Sequence, residues 1–201
     1  NGVDRVIYSS TSSAYGLINS PPLTEDMPND CLNPYSVTKV AGEELCKMYT
    51  KLFGLKTLVF RYFNVYGERQ PIKGQYAPVV GIFLRQFENG QPLTIVGDGH
   101  QRRDFTYVKD VVEANILAAN SNNEDLFGQT INIGVGNNIS VLELARMIGY
   151  DFEYLPERLG EARVTLADTT KALELLNWKP QVFLQDWIAQ QKLSGDPISM
   201  K

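Results

Sequence analysis

Short apolar runs alternate with longer stretches of helical spacing along this chain, separated by hydroxyl, proline and glycine clusters. Residues 3–8 form a strand-like run that opens into a hydroxyl cluster, Ser9, Ser10, Thr11, Ser12 and Ser13. Pro21, Pro22, Pro28 and Pro34 mark a loop. From Tyr35 the period changes. Val37, Ala41, Leu45, Met48, Tyr49 and Leu52 recur at helical spacing as one apolar stripe, and Gly54 ends the helix. Residues 58–63 read as a buried strand, followed by a Gly-, Gln- and Pro-rich loop to about residue 76. A helix is expected over 79–87, closed by Asn89-Gly90, then a strand over 93–96 and a turn at Gly97-Asp98-Gly99. The pattern continues with a strand at 105–108, a helix at 109–120 and a strand at 130–133. Ser140, with Glu143 at the capping-box position, starts a helix to about 148. A strand at 152–155, helices at 169–176 and 186–191, and a frayed tail over 194–201 complete the expectation. Alternating strands and helices indicate an α/β architecture. A chain that opens inside a core-type strand leaves two readings: it was cut, or its sheet neighbours come from another polypeptide.

Composition narrows the function classes. The 201 residues are 43% hydrophobic and 21% charged, which suits a globular protein of one domain or one and a fraction. The formal net charge of −4 gives no electrostatic footprint for nucleic acid. No apolar run is long enough to cross a bilayer, and residues 1–10 do not read as a signal peptide. Cys31 and Cys46 have no motif spacing, which fits a reducing, cytoplasmic compartment. The single histidine, His100, excludes a His-rich metal site and disfavours a Ser-His-Asp hydrolase. Cys31, Cys46 and His100 are read as structural or incidental.

The candidate chemistry centres on Tyr35 and Lys39. Residues i and i+4 share a helix face, so the phenol and the ammonium can converge on one point. A free tyrosine, with a pKa of about 10, is a poor base at neutral pH. A nearby ammonium favours the phenolate and makes proton exchange with a sugar hydroxyl feasible. The cluster at residues 9–13 supplies hydroxyl donors for the same site. By itself the spacing also suits an amphipathic helix with Lys39 in solvent.

The surrounding order separates these readings. Ser9-Ser10-Thr11-Ser12-Ser13-Ala14-Tyr15-Gly16 is followed by Pro34-Tyr35-Ser36-Val37-Thr38-Lys39 and Arg61-Tyr62-Phe63-Asn64-Val65-Tyr66-Gly67. Gly97-Asp98-Gly99, Arg102-Arg103-Asp104-Phe105, Arg158-Leu159-Gly160-Glu161 and Ala167-Asp168 come later. In this order the blocks resemble the extended short-chain dehydrogenase/reductases, specifically the NAD-dependent sugar-nucleotide epimerases and dehydratases. The resemblance implies a Rossmann-like parallel sheet plus a small α/β substrate-binding domain, with NAD as cofactor. Residues 1–65 would be the C-terminal part of the dinucleotide-binding domain. Residues 66–201 would mainly bind the sugar nucleotide, with segments near 105–135 returning to the sheet.

The resemblance also implies roles by position. Tyr35 resembles the acid/base, Lys39 the residue that tunes it and holds the nicotinamide ribose, and Thr11 the catalytic hydroxyl. Ser9 and Tyr62 match positions lining the nicotinamide. Asn64, Arg103 and Arg158 match diphosphate contacts, a role suited to bidentate arginine. Thr94 and Val96 match a strand contacting the uracil, Glu161 a ribose contact, and Val79 and Thr165 further substrate positions.

Ser12-Ser13 carries no carboxylate where the related dehydratases and decarboxylases hold an extra acid, which points to epimerisation at C4. The run at residues 61–70, followed by Gln75-Tyr76-Ala77, resembles UDP-N-acetylglucosamine/UDP-glucose 4-epimerases. In the family it resembles, a bulky residue at the position of Thr165 restricts the pocket to plain hexoses, so the resemblance implies room for an N-acetyl group. The implied mechanism oxidises C4 to a transient ketone, turns the sugar over and reduces the other face, with NAD recycled. The family's glycine-rich phosphate fingerprint is not found; Gly134-Val135-Gly136 is a turn far downstream. A dinucleotide-binding half on the order of a hundred residues is therefore expected outside this sequence, leaving the chain alone with little activity. Other readings are a dehydratase or decarboxylase of the same family, or a non-catalytic nucleotide-binding or assembly module. A homodimer through the Tyr35 helix is a further expectation.

Overall fold

The computed structural model describes residues 2–74, 77–157 and 161–194. In chain order its strands are β1 (Arg5–Thr11), β2 (Lys56–Tyr62), β3 (Val65–Tyr66), β4 (Leu93–Val96), β5 (Arg102–Arg103), β6 (Thr106–Tyr107), β7 (Thr130–Ile133), β8 (Ile139–Ser140) and β9 (Phe152–Leu155). Its helices are α1 (Pro34–Phe53), α2 (Val79–Glu88), α3 (Val108–Asn120), α4 (Val141–Ile148), α5 (Thr170–Leu176) and α6 (Leu184–Ser194).

β1, β2 and β7 form a parallel sheet in that order, with Ser9 opposite Phe60, Thr11 opposite Tyr62 and Tyr62 opposite Ile133. Among the described residues β1 is paired on one side only. One sheet face carries Leu58, Phe60, Ile131 and Ile133 against Val111, Ala114 and Ala118 of α3 and Ala172 and Leu176 of α5. The other face receives α1. A second apolar cluster joins Phe83 and Leu84 of α2, Leu93 and Ile95 of β4, Leu144 and Ile148 of α4, and Trp187 and Ile188 of α6. There β4 runs parallel to β9. A third, small cluster of Tyr15, Leu23, Phe63 and Ala167 draws on the segments after β1, β2 and β9. Among the described residues no helix is long and apolar enough to cross a membrane.

The α/β expectation holds, with local corrections. The first strand does not end at residue 8. Ser9, Ser10 and Thr11 continue it because they pair in register with β2, and the chain turns into a 3-10 helix only at Ser12–Tyr15. The strand expected over 105–108 shrinks to Thr106–Tyr107, since Val108 already starts α3. The last helix is longer than 186–191 because Leu184, Trp187 and Ile188 bury into the second cluster. The frayed end expected beyond Ser194 lies outside the described residues. The apolar stripe of α1 is present but turned away from the sheet: Val37, Leu45 and Leu52 are exposed.

Candidate active site

β1 delivers Ser9, Ser10 and Thr11 to the C-terminal end of the parallel strands, where open α/β sheets place ligands. α1 begins beside it. Asn33 caps the helix by accepting the Ser36 N–H at 2.9 Å, and Pro34 occupies the first turn, where no amide partner is needed. Gly54 closes it in the left-handed region at φ 67°. α1 lies close to β1: a Cβ on Gly42 would stand 2.2 Å from the Tyr8 hydroxyl oxygen.

This seating brings Tyr35 and Lys39 to one face. Lys39 Nζ donates to the Ser9 carbonyl at 2.9 Å and stands 5.8 Å from the centre of the Tyr35 ring. Tyr35 is half exposed at the helix start. Thr11 is buried, and its Oγ1 accepts the Ser13 N–H at 3.1 Å, which turns the chain away from the strand. Ser9 Oγ donates to the Tyr62 phenol oxygen at 3.3 Å, and Asn115 Nδ2 donates to the same oxygen at 3.0 Å. Asn115 was not singled out in the sequence; a lone amide on the inner side of an apolar helix was its signal.

A cleft of about 300 Å³ opens beside this helix start. It brings together Asn64, Arg103, Glu161 and Thr165, and it reaches Ser12 and Ser13, next to Thr11, and Asn33, two residues before Tyr35. Arg103 Nη2 contacts Glu161 Oε2 at 3.3 Å. Burial lowers the Arg103 pKa against the raising effect of Glu161. A smaller cleft shares Arg103 and Glu161 and extends to Val96 and Gln101. Asp104, fully buried, fixes this wall. Its carboxylate accepts the N–H groups of Val135 at 2.7 Å, Gly136 at 3.0 Å and Ala167 at 3.1 Å, while its own N–H reaches Thr165 Oγ1 at 3.3 Å. Burial outweighs those three donors and pushes its pKa up to about 6.

Other sequence candidates lie elsewhere. Thr94 is held to α2, exchanging hydrogen bonds with the Gln86 amide at 2.9 and 3.1 Å. Val79, at the start of α2, packs on the second apolar cluster. Arg158 lies outside the described residues.

A buried ion pair beneath the site was also missed. Arg61 of β2 and Glu43 of α1 meet at 2.7 Å, at 2% and 0% side-chain exposure. The sequence signal was a charge inside the apolar run of residues 58–63, since a buried charge requires a partner. Among the described residues no cluster of three or more His, Cys, Asp or Glu could hold a metal ion.

Fold and geometry thus define an α/β protein with a phenol–ammonium pair at the sheet's C-terminal edge, beside a polar ligand cleft. The chain belongs to the NAD dependent epimerase/dehydratase family, whose profile matches residues 1–134. It is 39% identical over 196 residues to a UDP-glucose 4-epimerase of Mycolicibacterium smegmatis, an alignment covering 94% of this chain and 61% of that protein. Solved structures share the fold, two of which follow. A UDP-N-acetylglucosamine 4-epimerase from Methanobrevibacter ruminantium, in complex with UDP-N-acetylmuramic acid, aligns with a TM-score of 0.84 and 32% identity over 100% of this chain and 62% of its own. A UDP-glucuronic acid 4-epimerase from Bacillus cereus, in complex with UDP-glucuronic acid and NAD, aligns with a TM-score of 0.83 and 37% identity over 92% and 59%. The chain therefore spans about 61% of the length of the curated relative named here.

Proposed function

We propose that this chain carries the acid/base helix and the sugar-nucleotide cleft of an NAD-dependent UDP-sugar 4-epimerase. One observation carries the reading: Lys39 bridges the Ser9 carbonyl and the Tyr35 ring, while Ser12 and Asn33, beside Thr11 and Tyr35, line the cleft that also holds Arg103 and Glu161. Residues 1–65 then belong to a dinucleotide-binding domain and 66–201 mainly to a substrate domain, with segments near 105–135 returning to the sheet.

The residues present suit the cofactor. The Ser9, Tyr62 and Asn115 side chains form a hydrogen-bonded polar rim at the sheet edge, next to the Lys39 ammonium. Bound NAD supplies a reversible hydride acceptor at the sugar carbon. Tyr35 takes the proton of the C4 hydroxyl as the ketone forms and returns it after the sugar has turned. Lys39 provides the positive charge that favours the phenolate, and Thr11 offers a hydroxyl to the reacting oxygen. Arg103 and Asn64 hold the diphosphate during the turnover, Arg103 by exchanging its contact with Glu161 for charge-assisted bonds to phosphate. Arg158 would add to that grip, Glu161 would hold the nucleotide ribose, and Val96, with Thr94 through its backbone, would face the base. Val79 is retained as a substrate-side position.

Ser12 and Ser13 place hydroxyls, not an acid, at the cleft end beside Thr11, which favours epimerisation over dehydration or decarboxylation. Thr165 keeps the wall small, which favours UDP-N-acetylhexosamines, with UDP-hexoses as further substrates. The exposed stripe of Val37, Leu45 and Leu52 on α1 suits a homodimer through that helix. The test is an epimerase assay on the longest encoded protein containing this chain, with UDP-N-acetylglucosamine, UDP-glucose and UDP-glucuronic acid in parallel. Interconversion at C4 with the N-acetylated sugar included is expected. Exclusive use of the plain hexose or the uronate removes the substrate assignment. UDP binding without conversion leaves the non-catalytic nucleotide-binding reading in its place.

A further inference from the structure

α1 is 20 residues long yet buries only two of them, and both are polar: Ser36 and Glu43. Ser36 completes the helix cap. Glu43 does something else. Arg61 grips its carboxylate with both arms of the guanidinium, Nε to Oε1 at 2.9 Å and Nη2 to Oε2 at 2.7 Å. Ser10 Oγ donates to the same Oε1 at 2.5 Å. Arg61 also donates to Asn29 Oδ1 at 2.6 Å and lies 4.6 Å from the centre of the Tyr15 ring, which lines the cleft.

We infer that the Glu43–Arg61 pair, together with Ser10, is a positioning device that fixes the register of the Tyr35–Lys39 helix on β2 and on the adjoining strand that carries Thr11; the inference rests on the reading of Tyr35 given above. A buried ion pair is a poor source of stability, because desolvation offsets the attraction and an apolar pair of similar volume often serves as well. The hydrophobic attraction is itself non-directional, whereas a bidentate fork adds geometric specificity. Glu43 follows Lys39 by one turn and Tyr35 by two, on the same face. Its partner Ser10 sits between Ser9, whose carbonyl takes Lys39, and Thr11. Helix and strand are therefore pinned at successive points along both. A slide of one residue, about 1.5 Å along the helix, breaks the fork and draws Lys39 away from the Ser9 carbonyl. Because Tyr15 stacks on the same guanidinium, the pair also ties the cleft wall to the catalytic helix.

The test separates position from stability. The variants are the paired Glu43→Met/Arg61→Met and the single Ser10→Ala, made in the longest encoded protein containing this chain. Melting temperature, UDP affinity, kcat and KM are measured. The paired variant is expected to melt at or near the wild-type temperature and bind UDP within about twofold. Its kcat falls by about tenfold to a hundredfold with KM little changed, as expected for a misplacement on the order of 1 Å. A paired variant that folds, binds UDP and keeps wild-type kcat overturns the proposal. If the pair prevents folding, Ser10→Ala decides: a severalfold loss of kcat at unchanged melting temperature supports the proposal, and wild-type kcat overturns it. If the wild-type protein does not epimerise, the reading of the previous subsection fails on its own. A crystal structure of a folded variant then decides the positioning role. Lys39 Nζ displaced from the Ser9 carbonyl supports it, and an unmoved Lys39 overturns it.

Discussion

Two helices, α1 and α4, are seated by opposite physics. α4 buries Val141, Leu142, Leu144, Ala145 and Ile148, all apolar, against β4, α2 and α6. α1 buries only Ser36 and Glu43, and it meets the sheet through Lys39, Glu43 and Thr50, which bond to Ser9, Arg61, Ser10 and Thr57. Apolar packing is non-directional and scales with the area removed from water, so it secures α4 without needing an atomic register. Hydrogen bonds and bidentate pairs add less net stability but fix angle and position. Under the proposed function, the helix that presents Tyr35 and Lys39 to a substrate is the directionally held one. The helix that only completes a wall is held by area.

The largest expected effect breaks the α1 side of this comparison. Glu43→Ala strands the buried Arg61 guanidinium and is expected to destabilise by about 3–5 kcal/mol in urea unfolding, whereas the paired methionine replacement stays near zero. On the α4 side, Leu144→Ala is expected to cost about 2–5 kcal/mol, and Leu144→Met less than about 1.5 kcal/mol, because that site requires volume and no direction.

A pH series sharpens the comparison at Asp104. Its folded-state pKa is raised from 3.8 to about 6, so its contribution to stability is present below the ordinary carboxylate pKa and is lost as pH rises through about 6. The loss is at most about 3 kcal/mol across that window. Asp104→Asn, which does not titrate, is expected to lose its penalty relative to wild type between about pH 4 and pH 6, read by urea unfolding at both ends. An unchanged difference contradicts the assigned shift.

The smallest effect lies at the helix cap. Asn33→Ala is expected to cost about 1 kcal/mol, and Asn33→Ser, which keeps a capping oxygen, only a few tenths by thermal melting.

Legibility followed the locality of the cause. Ser140 and Glu143 announced α4 because a capping box is a contact between near neighbours, and it forms as expected. Gly54 closed α1 for the same reason. The stripe from Val37 to Leu52 was equally readable, but periodicity reports a face and not its partner, so its outward direction was not. The two-residue strands at Val65–Tyr66 and Arg102–Arg103 exist only through pairing with Thr106–Tyr107 and Ile139–Ser140, which no local pattern encodes. In the site, the spacing of Tyr35 and Lys39 fixed their common face, and the family motifs led to Asn64, Arg103, Glu161 and Thr165, which share one cleft. Thr94 was named by its place in a strand, yet its hydroxyl is taken up by Gln86 on α2. Glu43 was not singled out in the sequence, and only the sheet position of Arg61 gives it a role.

Proton magnetic resonance of the anomeric signal during incubation with a UDP-sugar tests the central claim most directly, comparing the longest encoded protein with its Tyr35→Phe variant. Interconversion of the C4 epimers by the wild type, slowed by about 10²–10⁴ in the variant while UDP still binds, is the result expected of a phenol acting as acid/base. Undiminished epimerisation by the variant, or release of a dehydrated 4-keto sugar by the wild type, would contradict it.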